Sequence, residues 1–213
     1  MSRVRVHNFS ISLDGFATGE GQSLESPFGH AGHRLHEWMM ATRFARREVF
    51  GQPGGSEGLD DAMAVRHGPG IGAEIMGANK FGPPGWHDDP EWRGWWGDNP
   101  PFHTPTYVLT HRPHPSLEME GGTTFHFIDA APADALQVAL DAAGGLDVRI
   151  GGGPTMVRDF LAAGLVDHLH VVLVPILLGR GVRLWDGLEA LEEQYEVEAA
   201  TTPSGVIHLT FTR

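Results

Sequence analysis

The chain has 213 residues, of which 41% are hydrophobic and 20% are charged, proportions typical of a soluble domain with a substantial core. Its formal net charge of -12 and its pI near 5.4 argue against nucleic acid or an anionic membrane as a partner. The absence of cysteine excludes disulfides, thiolate catalysis and cysteine-ligated metals. Since the sequence contains neither an apolar leader nor an apolar run that would span a bilayer, we expect one cytoplasmic domain over residues 1–213.

The predicted elements begin with a β-strand over 4–13, where apolar residues alternate up to a turn at Asp14 and Gly15. A helical pattern follows over 29–50, and a short helix is predicted over 59–65. Strands and helices then alternate, which indicates a mixed α/β sheet that ends in a hairpin. In chain order, the remaining predicted elements are strands over 74–77, 106–110 and 123–128, a helix over 132–143, a strand over 147–150, a helix over 154–163, a strand over 166–175 and hairpin strands over 195–201 and 206–211.

The stretch over 82–105 is crowded with glycine, proline, tryptophan, aspartate and histidine. Its histidines and aspartates lack the regular spacing of a metal site, so we expect no metal there. Two interpretations of this stretch stay open. Its rings, including Trp86, either stack on a planar substrate beside an active site or only cover the core or a subunit surface.

Three consecutive glycines, Gly151 to Gly153, lie between a predicted strand and a predicted helix. Glycines leave the backbone bare for the close approach of a ligand, and Pro154 suits the first turn of a helix. The free N–H groups and the positive dipole end of such a helix start favour an anion. The run therefore predicts a pyrophosphate-binding turn, and a plain strand-to-helix turn is the alternative.

Four signatures occur along the chain in an order that resembles the dihydrofolate reductase-like proteins. The first is Ser12-Leu13-Asp14-Gly15, and the next two are the segments from Met76 to Pro83 and from Thr106 to Pro113. The last combines the glycine run with the block over 164–179. Within this family, the chain is most similar to the group that resembles the reductase domain of the bifunctional riboflavin-biosynthesis deaminase-reductase.

The resemblance implies a three-layer dihydrofolate reductase-like α/β fold with a central mixed sheet of about eight strands, flanking helices and a C-terminal β-hairpin. It implies hydride transfer from NADPH to a small planar heterocycle, pteridine- or pyrimidine-like, or to a conjugated carbonyl. It also implies a homodimer. The cofactor-binding residues that the resemblance implies are Ser10, Ala17, Thr18, Gly77, Asn79, Lys80, Phe81, Thr110, His111, Arg112, Gly151, Gly152, Gly153, Pro154, Thr155 and Met156.

One position departs from the family pattern. Family members carry arginine directly after the middle Met-Gly, where it reaches the 2′-phosphate of NADPH, and this chain has Ala78 there. NADH is therefore an alternative cofactor. Lys80 and Arg112 are candidates to replace the missing charge, although lysine offers a point charge where arginine offers a bidentate fork.

Two carboxylates are candidates for the catalytic acid. Asp14 ends the first strand, where the resemblance places the nicotinamide and the substrate, and a simple Asp-Gly turn is the alternative. Glu37 lies on the first long predicted helix, and a solvent-facing glutamate is the alternative. A carboxylate beside tryptophan in an apolar pocket is expected to have a raised pKa and to hold a proton. The predicted substrate-contacting residues are Asp14, Glu37, Trp38 and Trp86.

Three functions are compatible with these patterns. The first is an NADPH-dependent reductase, which the resemblance favours. The second is a nucleotide-binding module that has kept the fold without turnover, which the missing arginine and the uncertain catalytic acid favour. The third is reduction of a ribosylamino-pyrimidine in riboflavin biosynthesis.

Overall fold

Apolar residues recur with period two along the predicted strands, and these segments are strands in the computed structural model, which describes residues 2–213. Helices occupy the segments between several of them. The strands are β1 (Val4–Ser12), β2 (Phe16–Thr18), β3 (Ile71–Gly77), β4 (Pro105–Leu109), β5 (Leu117–Glu118), β6 (Thr124–Ile128), β7 (Asp147–Gly152), β8 (His168–Val174), β9 (Val182–Arg183), β10 (Glu196–Thr201) and β11 (Ile207–Thr212). The α-helices are α1 (Glu37–Met40), α2 (Arg43–Glu48), α3 (Leu59–Val65), α4 (Ala78–Phe81), α5 (Pro132–Ala142) and α6 (Pro154–Ala162).

One sheet of nine strands organises the molecule, in the order β10-β11-β8-β1-β7-β3-β4-β6-β5. The six strands from β8 to β6 in this order are parallel to one another. The strands β11, β10 and β5 are each antiparallel to the strand that they join, and β2 pairs with β9 in a separate two-stranded sheet. The mixed sheet and the C-terminal hairpin are therefore confirmed, with nine strands where the resemblance implied about eight.

Two layers cover the sheet, one on each face. Helices α5 and α6 contact β3 and β7 and form the largest apolar cluster, to which β8 contributes Val171. The neighbouring Val172 belongs instead to a second apolar cluster, which includes Leu35 and Trp38. Since successive side chains of a strand point to opposite faces, the α1 segment lies on the face opposite α5 and α6. No helix within residues 2–213 is long and apolar enough to cross a membrane.

The helical pattern over 29–50 is interrupted in the structure, which corrects the prediction of one long helix. A short 3-10 turn at Gly29–Ala31 is followed by α1 and α2. Thr42 has an extended backbone (φ −70°, ψ 156°) and caps α2 by accepting a hydrogen bond from the Ala45 N–H at 3.1 Å. A residue that caps one helix in this conformation cannot continue the helix before it. The apolar spacing in the sequence does not reveal this break.

Candidate functional site

The carboxyl ends of β3 and β7 form the crevice where the connections of the sheet diverge. After β3, the chain continues into β4, which lies next to β3 on one side. After β7, the chain crosses in the opposite direction, past β1, and continues into β8. Ligands of open α/β sheets bind at such a switch point, because the diverging connections leave a gap between them. Met76 pairs with Gly152 at this edge, so the segments that follow the two strands begin side by side.

The three glycines lie at this crevice. Gly153 is the N-terminal cap residue of α6, and Pro154 occupies the first turn. Gly152 has φ = 115°, which favours glycine, and its peptide bond to Gly153 is cis. Among the described residues no side chain caps α6, and a Cβ added at Gly153 would meet no atom within 4 Å. The start of α6, with the backbone N–H groups of Thr155 and Met156, therefore borders open space at the positive end of the helix dipole.

Gly77, one of the residues that the resemblance implies for the cofactor, lies next to this turn. A Cβ added to Gly77 would stand 3.7 Å from the Gly153 nitrogen and 3.5 Å from the Met156 Cβ. The short helix α4 begins immediately after Gly77, and its second residue, Asn79, is exposed. The structure thus brings the predicted residues of the β3 end and of the glycine turn together at one edge of the sheet.

A cluster of charges next to the turn was not identified from the sequence. Glu74 of β3, whose side chain is 1% exposed, accepts hydrogen bonds from Arg149 of β7, one of them from Nε at 2.8 Å. Lys80 of α4 donates to the Gly151 carbonyl at 2.6 Å, and its Nζ lies 3.3 Å from Glu74 Oε1. We call Glu74, Lys80 and Arg149 the charge cluster. A charged residue in the middle of each of two apolar strands is the sequence signal that could have revealed it.

The charge cluster contains two cations and one carboxylate. Burial alone would raise the pKa of Glu74, but Arg149 and Lys80 outweigh burial and lower it. Burial lowers the pKa of Lys80, and Arg149 adds to this effect while Glu74 opposes it. The nearby Arg5 is compensated by Asp147 at 3.1 Å. With Glu74 ionised and both cations protonated, the cluster carries one excess positive charge beside the glycine turn.

The two cations predicted to replace the missing arginine are both paired within the protein. Lys80 is held in the charge cluster. Arg112 binds Asp88 at 2.6 Å on the surface, and the neighbouring His111 lies 3.0 Å from Asp129. Lys80 and Arg112 are therefore both engaged by carboxylates in this structure, and their role at a 2′-phosphate stays a prediction.

Asp14 has a structural environment that contradicts its predicted role as a proton donor. Its carboxylate accepts hydrogen bonds from the Ser12 hydroxyl at 2.6 Å and from the backbone N–H groups of Gly179 at 2.7 Å and Leu178 at 3.1 Å. The Ser12 hydroxyl, together with these backbone donors, lowers the pKa of Asp14 to about 2. A carboxylate with such a pKa is ionised near neutrality, and Asp14 fastens the segment after β8. It borders a surface cleft of about 470 Å³ that Trp185 also lines.

Glu37, the second candidate acid, is exposed at the start of α1. This position lacks the apolar surroundings that were expected of the catalytic acid. Its neighbour Trp38 is buried, and the indole Nε1 donates to the Ser10 hydroxyl at 2.9 Å. Ala17 and Thr18 are buried in β2.

Phe81 and Trp86 belong to the core, which corrects two further predictions. Phe81 is fully buried, and its ring centroid lies 4.7 Å from that of Trp86. Both rings pack against Phe127, at 5.0 Å and 5.7 Å. The ring of Phe81 is therefore not available to a cofactor, nor that of Trp86 to a substrate. Of the two interpretations of the stretch over 82–105, the structure supports a cover for the core.

A chain of buried polar groups runs from Asn8 to Asp60 and passes beside Trp38. The Asn8 N–H donates to His170 Nδ1 at 3.2 Å, His170 Nε2 lies 2.9 Å from His208 Nδ1, and His208 Nε2 lies 2.8 Å from Asp60 Oδ1. A backbone N–H only donates and a carboxylate only accepts. Each imidazole therefore accepts a hydrogen bond at Nδ1 and donates one from Nε2 in the direction of Asp60. Burial, followed by His208, lowers the pKa of His170 to about 3, in agreement with a neutral ring. The ring centroids of His208 and Trp38 are 5.3 Å apart.

Solved structures with similar folds include the following three proteins. A protein of Shewanella sp. PV-4 assigned to riboflavin biosynthesis has a TM-score of 0.57 and 19% identity, covering 100% of this chain and 99% of that one. A pyrimidine reductase-like protein of Corynebacterium diphtheriae has a TM-score of 0.54 and 15% identity, covering 99% and 91%. A diaminohydroxyphosphoribosylaminopyrimidine deaminase/5-amino-6-(5-phosphoribosylamino)uracil reductase of Thermotoga maritima has a TM-score of 0.54 and 13% identity, covering 99% of this chain and 56% of that one.

These structural likenesses establish the fold, a mixed α/β architecture that the chain shares with these proteins over nearly its whole length. A search of curated proteins found no match. The family is established by sequence, because a family model described as the RibD C-terminal domain matches residues 4–208. The chain therefore belongs to the RibD C-terminal domain family.

Proposed function

We propose that this protein is a reductase that transfers a hydride from a nicotinamide dinucleotide to a small planar ring of the pyrimidine or pteridine kind. Its family membership supports a reductase of this kind. The observation that carries the proposal is the turn at the β3–β7 crevice, where uncapped backbone donors of α6 border open space. Such a helix start suits a pyrophosphate.

The residues present fit a nicotinamide dinucleotide. The backbone N–H groups of Gly153, Thr155 and Met156 would bind the pyrophosphate, and the bare backbone of Gly77 would allow close approach. The cofactor itself supplies the hydride, and the chain supplies binding and orientation. NADPH is the cofactor proposed from the family, and NADH is the alternative because Ala78 stands where the family has arginine and because Arg112 is paired with Asp88.

A nucleotide-binding module without turnover is the second candidate function. The specific observation that favours it is that Asp14, the first predicted acid, accepts three hydrogen bonds that favour its ionised form. The pKa of Asp14 is lowered to about 2, and Glu37 is exposed. Transfer of deuteride from cofactor labelled at the nicotinamide C4 position to a pyrimidine or pteridine would identify a reductase. Binding of the cofactor without any transfer across a panel of such rings would favour the module.

Two matched substitutions test the cofactor site. Thr155 and Ala133 are both exposed and both follow the proline that opens a helix, in α6 and α5 respectively. Aspartate is favourable in the first turn of either helix, so both variants should fold. Thr155→Asp would place a carboxylate against the pyrophosphate and should weaken NADPH binding at least tenfold, about 1.4 kcal/mol. Ala133→Asp should leave binding unchanged, as measured by calorimetry.

Equal affinities of the two variants and the wild-type protein would contradict the site. Loss of binding in both variants would indicate a general effect of charge on this acidic protein rather than a pyrophosphate at α6.

A further inference from the structure

The charge cluster offers a source of positive charge at the glycine turn. Lys80 Nζ is bonded to the carbonyl of Gly151, the first glycine of the turn, and the Cβ position of Gly152 lies 3.6 Å from Lys80 Cδ. The lysine therefore runs along the turn. Its side chain is 28% exposed, whereas those of Glu74 and Arg149 are 1% and 12% exposed.

The cluster is fixed from several sides. Arg149 donates to the His67 carbonyl at 3.2 Å, which ties β7 to the end of α3. The ring of Phe102 covers both cations, with Lys80 Nζ at 5.8 Å and Arg149 Cζ at 5.9 Å from its centroid. Because Glu74 neutralises only one of the two cations, the excess charge stays beside the turn, where bulk water screens it poorly.

We propose that Lys80 is a positioning residue that holds the glycine turn and supplies the positive charge that attracts the pyrophosphate of a nicotinamide dinucleotide. This inference rests on the proposed function. NADH and NADPH share the pyrophosphate, so Lys80 acts on both alike and does not select the 2′-phosphate. The family carries an arginine after the middle Met-Gly for the 2′-phosphate. In this chain that arginine is absent, and the positive charge of Lys80 serves the pyrophosphate instead.

The test compares substitutions that disturb the same contacts with different effects on charge. Lys80→Gln removes the charge and keeps an N–H donor for the Gly151 carbonyl, whereas Lys80→Arg keeps the charge. Glu74→Gln breaks the same ion pair but removes no positive charge. Dissociation constants for NADPH and NADH are measured by nicotinamide fluorescence, and thermal unfolding verifies that each variant folds.

We expect Lys80→Gln to weaken both cofactors about tenfold with an unchanged ratio between them, since the charge acts on their shared pyrophosphate. Lys80→Arg should bind within about threefold of the wild-type protein, and Glu74→Gln should bind no more weakly than it. If Lys80→Gln does not fold, the other two variants still test the proposal. A loss of affinity for NADPH and NADH in either Lys80→Arg or Glu74→Gln is then enough to overturn it.

Three further results would overturn the proposal. A selective loss of NADPH affinity in Lys80→Gln would place Lys80 at the 2′-phosphate. Equal weakening of cofactor binding in Lys80→Gln and Glu74→Gln would mean that the cluster only stabilises the fold. Unchanged cofactor affinity in Lys80→Gln would mean that Lys80 has no role in binding. Failure of the wild-type protein to bind either cofactor would instead overturn the proposed function, and this inference with it.

Discussion

Asp14 shows how the surroundings of one residue decide its chemistry. Its carboxylate meets one hydroxyl and two backbone N–H groups, all of which stabilise the ionised form. The turn-forming Asp-Gly pair was the alternative in the sequence, and the structure favours it. Ser12 is two positions away, but the two backbone donors come from residues 178 and 179, which no local pattern could have indicated.

Asp14→Asn should destabilise the fold in a pH-dependent way. The pKa of Asp14 falls from about 3.9 in the unfolded chain to about 2 in the folded protein. The stabilisation is therefore complete above the unfolded pKa and is lost as the pH falls through the folded pKa. In urea unfolding, the difference in free energy of unfolding between wild-type protein and Asp14→Asn should be constant near neutrality and shrink toward pH 2. A difference that does not vary with pH would contradict this account, and NADPH affinity at neutral pH should not change.

The glycine turn and the charge cluster differ in how far the sequence could predict them. The turn is encoded in consecutive residues, so its position at the end of β7 and the start of α6 followed from the pattern alone. Glu74 and Arg149 are 75 positions apart and meet only because β3 and β7 are neighbours in the sheet. That pairing depends on the strand order, which the sequence of one chain does not reveal.

At the scale of the elements, the polar chain from Asn8 to Asp60 fastens α3 to the sheet. It passes from β1 through His170 of β8 and His208 of β11 to the first turn of α3. Each step satisfies a buried polar atom, so the chain stabilises the sheet only while it is complete.

Long, periodic elements such as α6 and β8 were predicted closely, whereas α1, α2 and the two-residue strands lack a pattern long enough to identify them.

Asp60→Leu should destabilise the protein by about 2 kcal/mol more than Asp60→Asn. Leucine leaves the buried Nε2–H of His208 without an acceptor, whereas the asparagine carbonyl can still accept it. Urea denaturation of both variants measures the difference. Equal free energies of unfolding would mean that the hydrogen bond at the end of the chain contributes nothing.

At the scale of the whole molecule, the sheet ends in an exposed edge. Strand β10 pairs with β11 alone, and none of its residues is buried. Edge strands invite pairing with another chain, and most oligomers of one chain are twofold symmetric. We therefore propose a homodimer, as the family resemblance implies.

Light scattering at micromolar concentration should then give about twice the chain mass of 23.1 kDa. Replacing Val197, which is 46% exposed on β10, with lysine should shift the mass toward that of one chain if this edge forms the contact. A wild-type mass of one chain would contradict the homodimer.

The most direct test of the central claim is a crystal structure of the protein with bound NADPH. We expect the pyrophosphate within hydrogen-bonding distance of the backbone nitrogens of Thr155 and Met156, in the crevice between β3 and β7. The position of the ribose 2′-phosphate would show directly whether the pair of Arg112 and Asp88 opens to receive it. A dinucleotide bound elsewhere, such as in the cleft beside Asp14 and Trp185, would contradict the account.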